Sequence, residues 1–153
     1  MTESLDPTDW AILEELQNDA RLSLTELGRR VNLSSSATTE RVRRLESIGV
    51  ITGYRADVDL TKVGYPVLAV VRLKYPGNKH EPLRRLLAER QEILECLRTT
   101  GDDCYTLKVA AASMPHLEEL VNELTDFGST TTNLVYSQTQ PFRGPQKPMT
   151  DHS

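Results

Sequence analysis

Cysteine is scarce in this chain of 153 residues: Cys96 and Cys104 are the only two. Two thiols give no disulfide framework and no metal-ligand spacing. The three histidines, His80, His116 and His152, stand isolated in sequence, without a Cys or carboxylate at ligand spacing. No metal or cofactor is expected. No run of about 18 apolar residues exists, so a membrane span is not expected. The opening MTESLDPTDW is acidic and lacks an apolar core, unlike a secretory signal, and the expected location is cytoplasmic. There is no glycine-rich phosphate loop and no internal repeat. Asp102 and Asp103 form the one carboxylate pair of note, and sequence neighbours rarely serve together as acid and base. Catalysis therefore finds no support, and the chain is not expected to be an enzyme.

What is present is an ordinary globular composition, 38% hydrophobic and 26% charged, enough for one medium domain or two small ones. A net charge of −4 looks unfavourable for nucleic acid, but its distribution matters more than its sum. Residues 1–19 hold six acids and no Lys or Arg, whereas residues 20–55 hold seven arginines against three glutamates. Positive charge is concentrated in one short stretch. The remainder is mildly acidic, which weakens non-specific attachment to DNA.

That stretch reads as two helices joined by a tight turn. Thr25–Val31 buries Leu27 and Val31, Asn32-Leu33-Ser34 makes the turn with Leu33 as its plug, and Ser34 caps the next helix. On a helical wheel from Ser35 to Ile48, Thr38, Val42 and Leu45 share one side with Ile48. Ser36, Thr39, Glu40 and Arg43 fall opposite, with Arg44 at the edge. Small hydroxyl residues let a helix approach base edges in a major groove, and arginines a turn later reach guanines or phosphates. An ordinary solvated face has the same composition, so residues alone leave both readings open. Ser35, Ser36, Thr39, Glu40, Arg43 and Arg44 are the candidate DNA contacts.

Upstream, Asp6 caps a helix with Pro7 at its first position, Asp9 favours the dipole, and Leu5 and Trp10 are spaced as a hydrophobic staple. Downstream, Gly49–Tyr54 is a glycine stop followed by a β-branched run, read as a short wing or hairpin. Residues 55–66 read as a linker, partly strand-like at Ala56–Leu60. From Val67 the order is strand (67–75), helix (81–91), strand (93–100), strand (105–112), helix (115–127) and strand (129–140). This βαββαβ order is the ferredoxin-like arrangement. It predicts an α+β chain: a winged helix-turn-helix domain over 1–54 and a ferredoxin-like domain over 67–142. A disordered tail is expected over 143–153. A sheet carrying helices on one face leaves the other to be covered, most simply by a second copy.

Leu5-Asp6, Asp9, Ile12-Leu13, Leu16, Asp19, Arg21, Glu26-Leu27, Leu33-Ser34, Arg41-Val42, Leu45-Glu46, Gly49-Val50-Ile51 and Gly53-Tyr54 resemble, in order and spacing, the Lrp/AsnC (feast/famine) transcriptional regulators. The resemblance implies a regulator of double-stranded DNA whose second domain binds a small-molecule effector, an amino acid, and pairs sheet to sheet. A homodimer follows, with tetramer or octamer left open. In Thr100–Tyr105, Gly101 allows a tight turn that leaves N–H groups free for an anion such as a carboxylate. A plain hairpin turn with solvated aspartates fits the residues equally. The resemblance makes this turn the effector loop, often Thr-Gly-x-x-Asp, but Cys104 stands where the later acid is common. Thr132 matches a polar position on the last strand, whereas Leu134 stands where a Thr is frequent. Thr100, Gly101, Asp102, Asp103, Cys104 and Thr132 are thus the effector candidates. The alternative is a ferredoxin-like small-molecule-binding or metabolic-enzyme subunit whose N-terminal helices only make protein contacts.

Overall fold

Asp6 and Asp9 begin the first helix by capping each other. The Asp6 carboxylate accepts the Asp9 N–H at 2.8 Å, and the Asp9 carboxylate accepts the Asp6 N–H at 3.1 Å. The computed structural model describes residues 4–77, 80–102 and 104–148. Contacts divide the chain into two units, Met1–Asp57 with Gln140–Ser153, and Val58–Thr139.

In the first unit, α1 (Pro7–Asn18) is followed by α2 (Leu24–Val31) and α3 (Ser35–Ser47). Ser23 caps α2 through the Glu26 N–H, and Ser34 caps α3 through the Ala37 N–H. Between them Asn32 takes the left-handed conformation, φ 57°, and the Leu33 N–H returns to the Gly28 carbonyl at 2.8 Å. Ile12, Leu27, Val42 and Leu45 form the core, flanked by partly buried residues that include Leu5, Leu33, Val50 and Ile51. Thr38 is buried with the apolar side of α3, as the wheel predicts. Trp10 is half-buried, and the staple partner that reaches the core is Leu5.

Gly28 determines how closely the two helices of the motif approach. A Cβ there would lie 2.6 Å from Thr38 Oγ1 and 2.8 Å from the Leu33 carbonyl oxygen. The stretch expected to form a β wing or hairpin forms no strand pairing. The N–H groups of Val50 and Ile51 donate instead to the Leu45 carbonyl at 2.9 and 3.0 Å. Their β-branched side chains are satisfied by packing on the helical core, so no ladder is needed. Residues 56–59 are likewise not strand, and Leu60–Val63 is a short 3₁₀ turn capped by Asp59.

The elements of the second unit run β1 (Val67–Lys74), α4 (Glu81–Glu89), β2 (Ile93–Arg98), β3 (Tyr105–Ala111), α5 (Met114–Thr125) and β4 (Ser129–Leu134). Its four strands form an antiparallel sheet in the order β2-β3-β1-β4. This is the βαββαβ order expected. The last strand is shorter than expected: after Leu134 only the Val135 N–H still reaches β1, at the Leu68 carbonyl. Alternation sorts the faces. Ala69, Val71, Leu73, Tyr105, Leu107 and Val109 are buried with Leu83, Leu117, Leu120 and Leu124 of the helices. Leu68, Val70, Arg72, Thr106 and Lys108 point the other way.

Candidate nucleic-acid interface and ligand loop

The face of α3 opposite the core is built from the expected residues. Ser35, Ser36, Glu40 and Arg43 are exposed and Thr39 is half-buried. Thr39 donates its hydroxyl to the Ser35 carbonyl at 2.8 Å, so its methyl and Oγ1 are held close to the helix. Ser36 Oγ lies 3.2 Å from Ser34 Oγ at the cap. Arg43 has no hydrogen bond or ion pair with another described residue. It lines a groove of about 260 Å³ with Leu16, Ala20, Thr39, Glu46 and Tyr54. Tyr54 closes that groove by donating to Glu46 at 2.8 Å. Burial, and then the Glu46 carboxylate, push the Tyr54 phenol up to about 12.

Arg44 departs from the expected set. Its Nη1 lies 3.3 Å from Asp9 Oδ2, and Arg41 Nη1 meets Asp9 Oδ1 at 3.0 Å and Asp6 Oδ2 at 2.6 Å. Asp9 is 1% exposed, so this clasp ties the start of α1 to the middle of α3. The helix-dipole position of Asp9 does not by itself foretell this role. The signal was there in two pairs at matching spacing, Asp6/Asp9 and Arg41/Arg44. On α2, Glu26 binds Arg29 and Arg30, and Arg30 also reaches Glu15. The two guanidiniums hold the Glu26 carboxyl down at about 2.

The expected effector loop connects β2 and β3. Gly101 has φ +106° with open space around its Cα, the left-handed backbone that favours glycine. Thr100 and Asp102 are exposed, and Asp103 lies outside the described residues. Cys104 does not present itself to the loop. Its Sγ accepts the Tyr75 N–H at 3.3 Å and packs against the core. Thr132, on β4, pairs with Val71 of β1, and β1 separates β4 from β3. One chain therefore does not bring Thr132 beside the loop.

Two histidines gain partners that sequence spacing hid. Tyr105 Oη lies 2.8 Å from His80 Nδ1, within a cluster that includes Tyr75. His116 Nε2 is 2.7 Å from Glu92, and its Nδ1 accepts the Ala112 N–H at 3.2 Å. The Glu92 carboxyl is lowered by its own backbone N–H first and then by His116. Among the described residues no group of His, Cys, Asp and Glu could hold a metal, and no helix is long and apolar enough to cross a membrane.

Comparison with known proteins supplies a context for these sites. Residues 5–52 match the model for winged helix-turn-helix DNA-binding domains, and residues 68–145 that for the Lrp/AsnC ligand binding domain. The chain is 37% identical to the HTH-type transcriptional regulator LrpC of Bacillus subtilis, over 92% of this chain and 97% of that one. The solved structure of LrpC superposes with a TM-score of 0.87, covering 90% of this chain and 99% of that chain. A feast or famine regulatory protein from M. tuberculosis, solved with L-methionine, is 32% identical with a TM-score of 0.86 over 94% and 100% of the two chains. A Neisseria meningitidis regulator in complex with L-Met is 27% identical, with a TM-score of 0.85 over 96% and 98%.

Proposed function

This chain belongs to the Lrp/AsnC family of DNA-binding transcriptional regulators with a ligand-binding domain, and from that premise we propose which residues read DNA and what the second domain senses. Ser35, Ser36, Thr39, Glu40 and Arg43 form the reading face, with Arg44 positioning α3 through Asp9. The carrying observation is Arg43, exposed and unpaired among described residues, one turn beyond Thr39 on the side away from Val42 and Leu45. The effector is an amino acid, a reading supported by the two relatives solved with methionine. Its carboxylate meets the backbone at Gly101 and its ammonium meets Asp102 or Asp103.

The chain works as a dimer at least, joined through the open sheet face. Leu68, Val70, Leu97 and Val135 make an apolar stripe there, in a groove of about 310 Å³ edged by Glu95 and Lys108. Pairing two reading heads raises affinity through effective concentration. Effector binding changes DNA affinity only if it favours one arrangement of the heads over another.

The test is DNA retention across a salt series with wild type and Arg43→Ala. Wild type should bind with a steep salt slope. The variant should lose about 1–3 kcal/mol of specific binding with its fold intact. Equal operator affinity at one salt concentration would remove Arg43 from the face. For the ligand, a thermal-shift screen of all amino acids should find one that stabilises the protein, by about 2.7 kcal/mol at 100 times its dissociation constant. No shift with any of them would refute the amino-acid reading.

A further inference from the structure

The chain from Gln140 to Pro148 reads QPFRGPQKP and holds two cations, Arg143 and Lys147, and no acid. Pro141, Pro145 and Pro148 lack the N–H needed for a helix interior or a sheet ladder, and this segment is neither helix nor strand. It belongs to the first unit, with the helix-turn-helix. Two contacts hold it there. Gln17 Nε2 donates to the Pro145 carbonyl at 3.1 Å, and the Arg55 guanidinium sits 5.0 Å from the centre of the Phe142 ring. Gly144 lies so close to α1 that a Cβ would collide with the Gln17 side chain.

These anchors belong to the same unit as the reading face. Gln17 and Arg55 are the chain neighbours of Leu16 and Tyr54, which line a groove together with Thr39 and Arg43. Arg143 and Lys147 are exposed, and neither is bonded to a described side chain. A strap with free cations, docked on the unit whose α3 reads DNA, has the chemistry of a phosphate-contacting arm.

We infer that the segment from Gln140 to Pro148 is a second DNA-contacting element, in which Arg143 and Lys147 meet backbone phosphates flanking the groove that α3 enters. The inference rests on α3 being the reading helix. It predicts a sequence-independent contribution, because a phosphate contact carries no base information.

The experiment measures affinity of the full chain for a mixed-sequence duplex of several helical turns across a salt series. Each phosphate contact adds about 0.9 to the slope of log affinity against log salt. The double variant Arg143→Gln with Lys147→Gln should therefore be shallower by up to about 1.8 for each bound protomer. The charge-preserving pair Arg143→Lys with Lys147→Arg should keep the wild-type slope. Neither double variant touches the Gln17 or Arg55 contacts, so the unfolding midpoint followed by Trp10 fluorescence should not move. An unchanged slope in the glutamine variant would overturn the inference while leaving α3 as the reader. Wild type that fails to bind DNA at all would overturn both.

Discussion

Asp9 shows how much a single side chain can organise in this protein. Its carboxylate is almost fully buried, yet accepts from the Asp6 backbone and from two arginines of α3. Hydrogen bonds to charged groups are worth about 1.5–3 kcal/mol each, but the arginines here remain partly exposed and can be rehydrated. Asp9→Ala should therefore cost roughly 2 kcal/mol. Urea unfolding followed by Trp10, the only tryptophan, reports on this unit, and an unmoved midpoint would show that the clasp contributes nothing. A second residue-scale prediction concerns acid. The carboxyl of Glu26 is held down by Arg29 and Arg30, and that of Asp6 by Arg41 and then by the Asp9 N–H. Groups lowered on folding stabilise the native state above their unfolded values and lose that contribution as pH falls through the folded ones. For Glu26 the window runs from 4.5 down to about 2. Stability of the first unit should be level above this window and decline within it, less steeply at high salt because these pairs are exposed. A profile that rises on acidification would contradict the sign.

At the scale of elements, the turn between α2 and α3 depends on Gly28. Alanine would gain about 1 kcal/mol of helix propensity. Against this, a methyl must fit 2.8 Å from a backbone oxygen that cannot swing away. Overpacking of this kind costs about 1–3 kcal/mol, so Gly28→Ala should be net destabilising and should weaken DNA binding by displacing α3. Adding Thr38→Ala removes only the side-chain clash and should rescue the Trp10-monitored midpoint in part; complete rescue would mean the Leu33 carbonyl is not the obstacle. Gly101→Val is the counterpart in the second unit. Its φ of +106° is strained for any branched residue, so ligand response should vanish while operator binding stays, as calorimetry and DNA retention can separate. Caps, helix faces and the βαββαβ order were legible because each is set by residues within a turn or two of one another. The Ser34 cap and the Thr38–Val42–Leu45 stripe needed no tertiary knowledge. The Asp9 clasp joins residues more than thirty positions apart; the matching i, i+3 spacing of Asp6/Asp9 and Arg41/Arg44 hints at it, but no local rule pairs the two helices. The β pairing expected at Gly49–Tyr54 is absent for a related reason: Val50 and Ile51 have strand propensity, but a helical core within reach outcompetes a ladder. Sequence position alone puts Cys104 on the loop, whereas the strand's alternation and Tyr75 turn its sulfur inward.

For the whole molecule, a dimer joined through the open sheet face makes a direct prediction. Val70 sits mid-strand on that face, away from the helices. Val70→Glu in the full chain should shift sedimentation from dimer toward monomer and weaken DNA binding, with no change in the Trp10 unfolding midpoint. A variant that sediments as wild type would move the interface elsewhere. Assembly also bears on the ligand loop, since Thr132 and Gly101 are not neighbours within one chain. The arginine pairing described above has a kinetic meaning as well. Of the seven arginines in residues 20–55, Arg29, Arg30, Arg41 and Arg44 face carboxylates of the same domain, and Arg55 lies over Phe142. Arg21 and Arg43 are left with guanidiniums unpaired among the described residues. Apart from Arg143 and Lys147 of the tail, a reading head whose guanidiniums are mostly engaged within its own domain has few cations left to grip random DNA. Its dwell time on any wrong site is then short, and its search proceeds by frequent release and return rather than by long sliding.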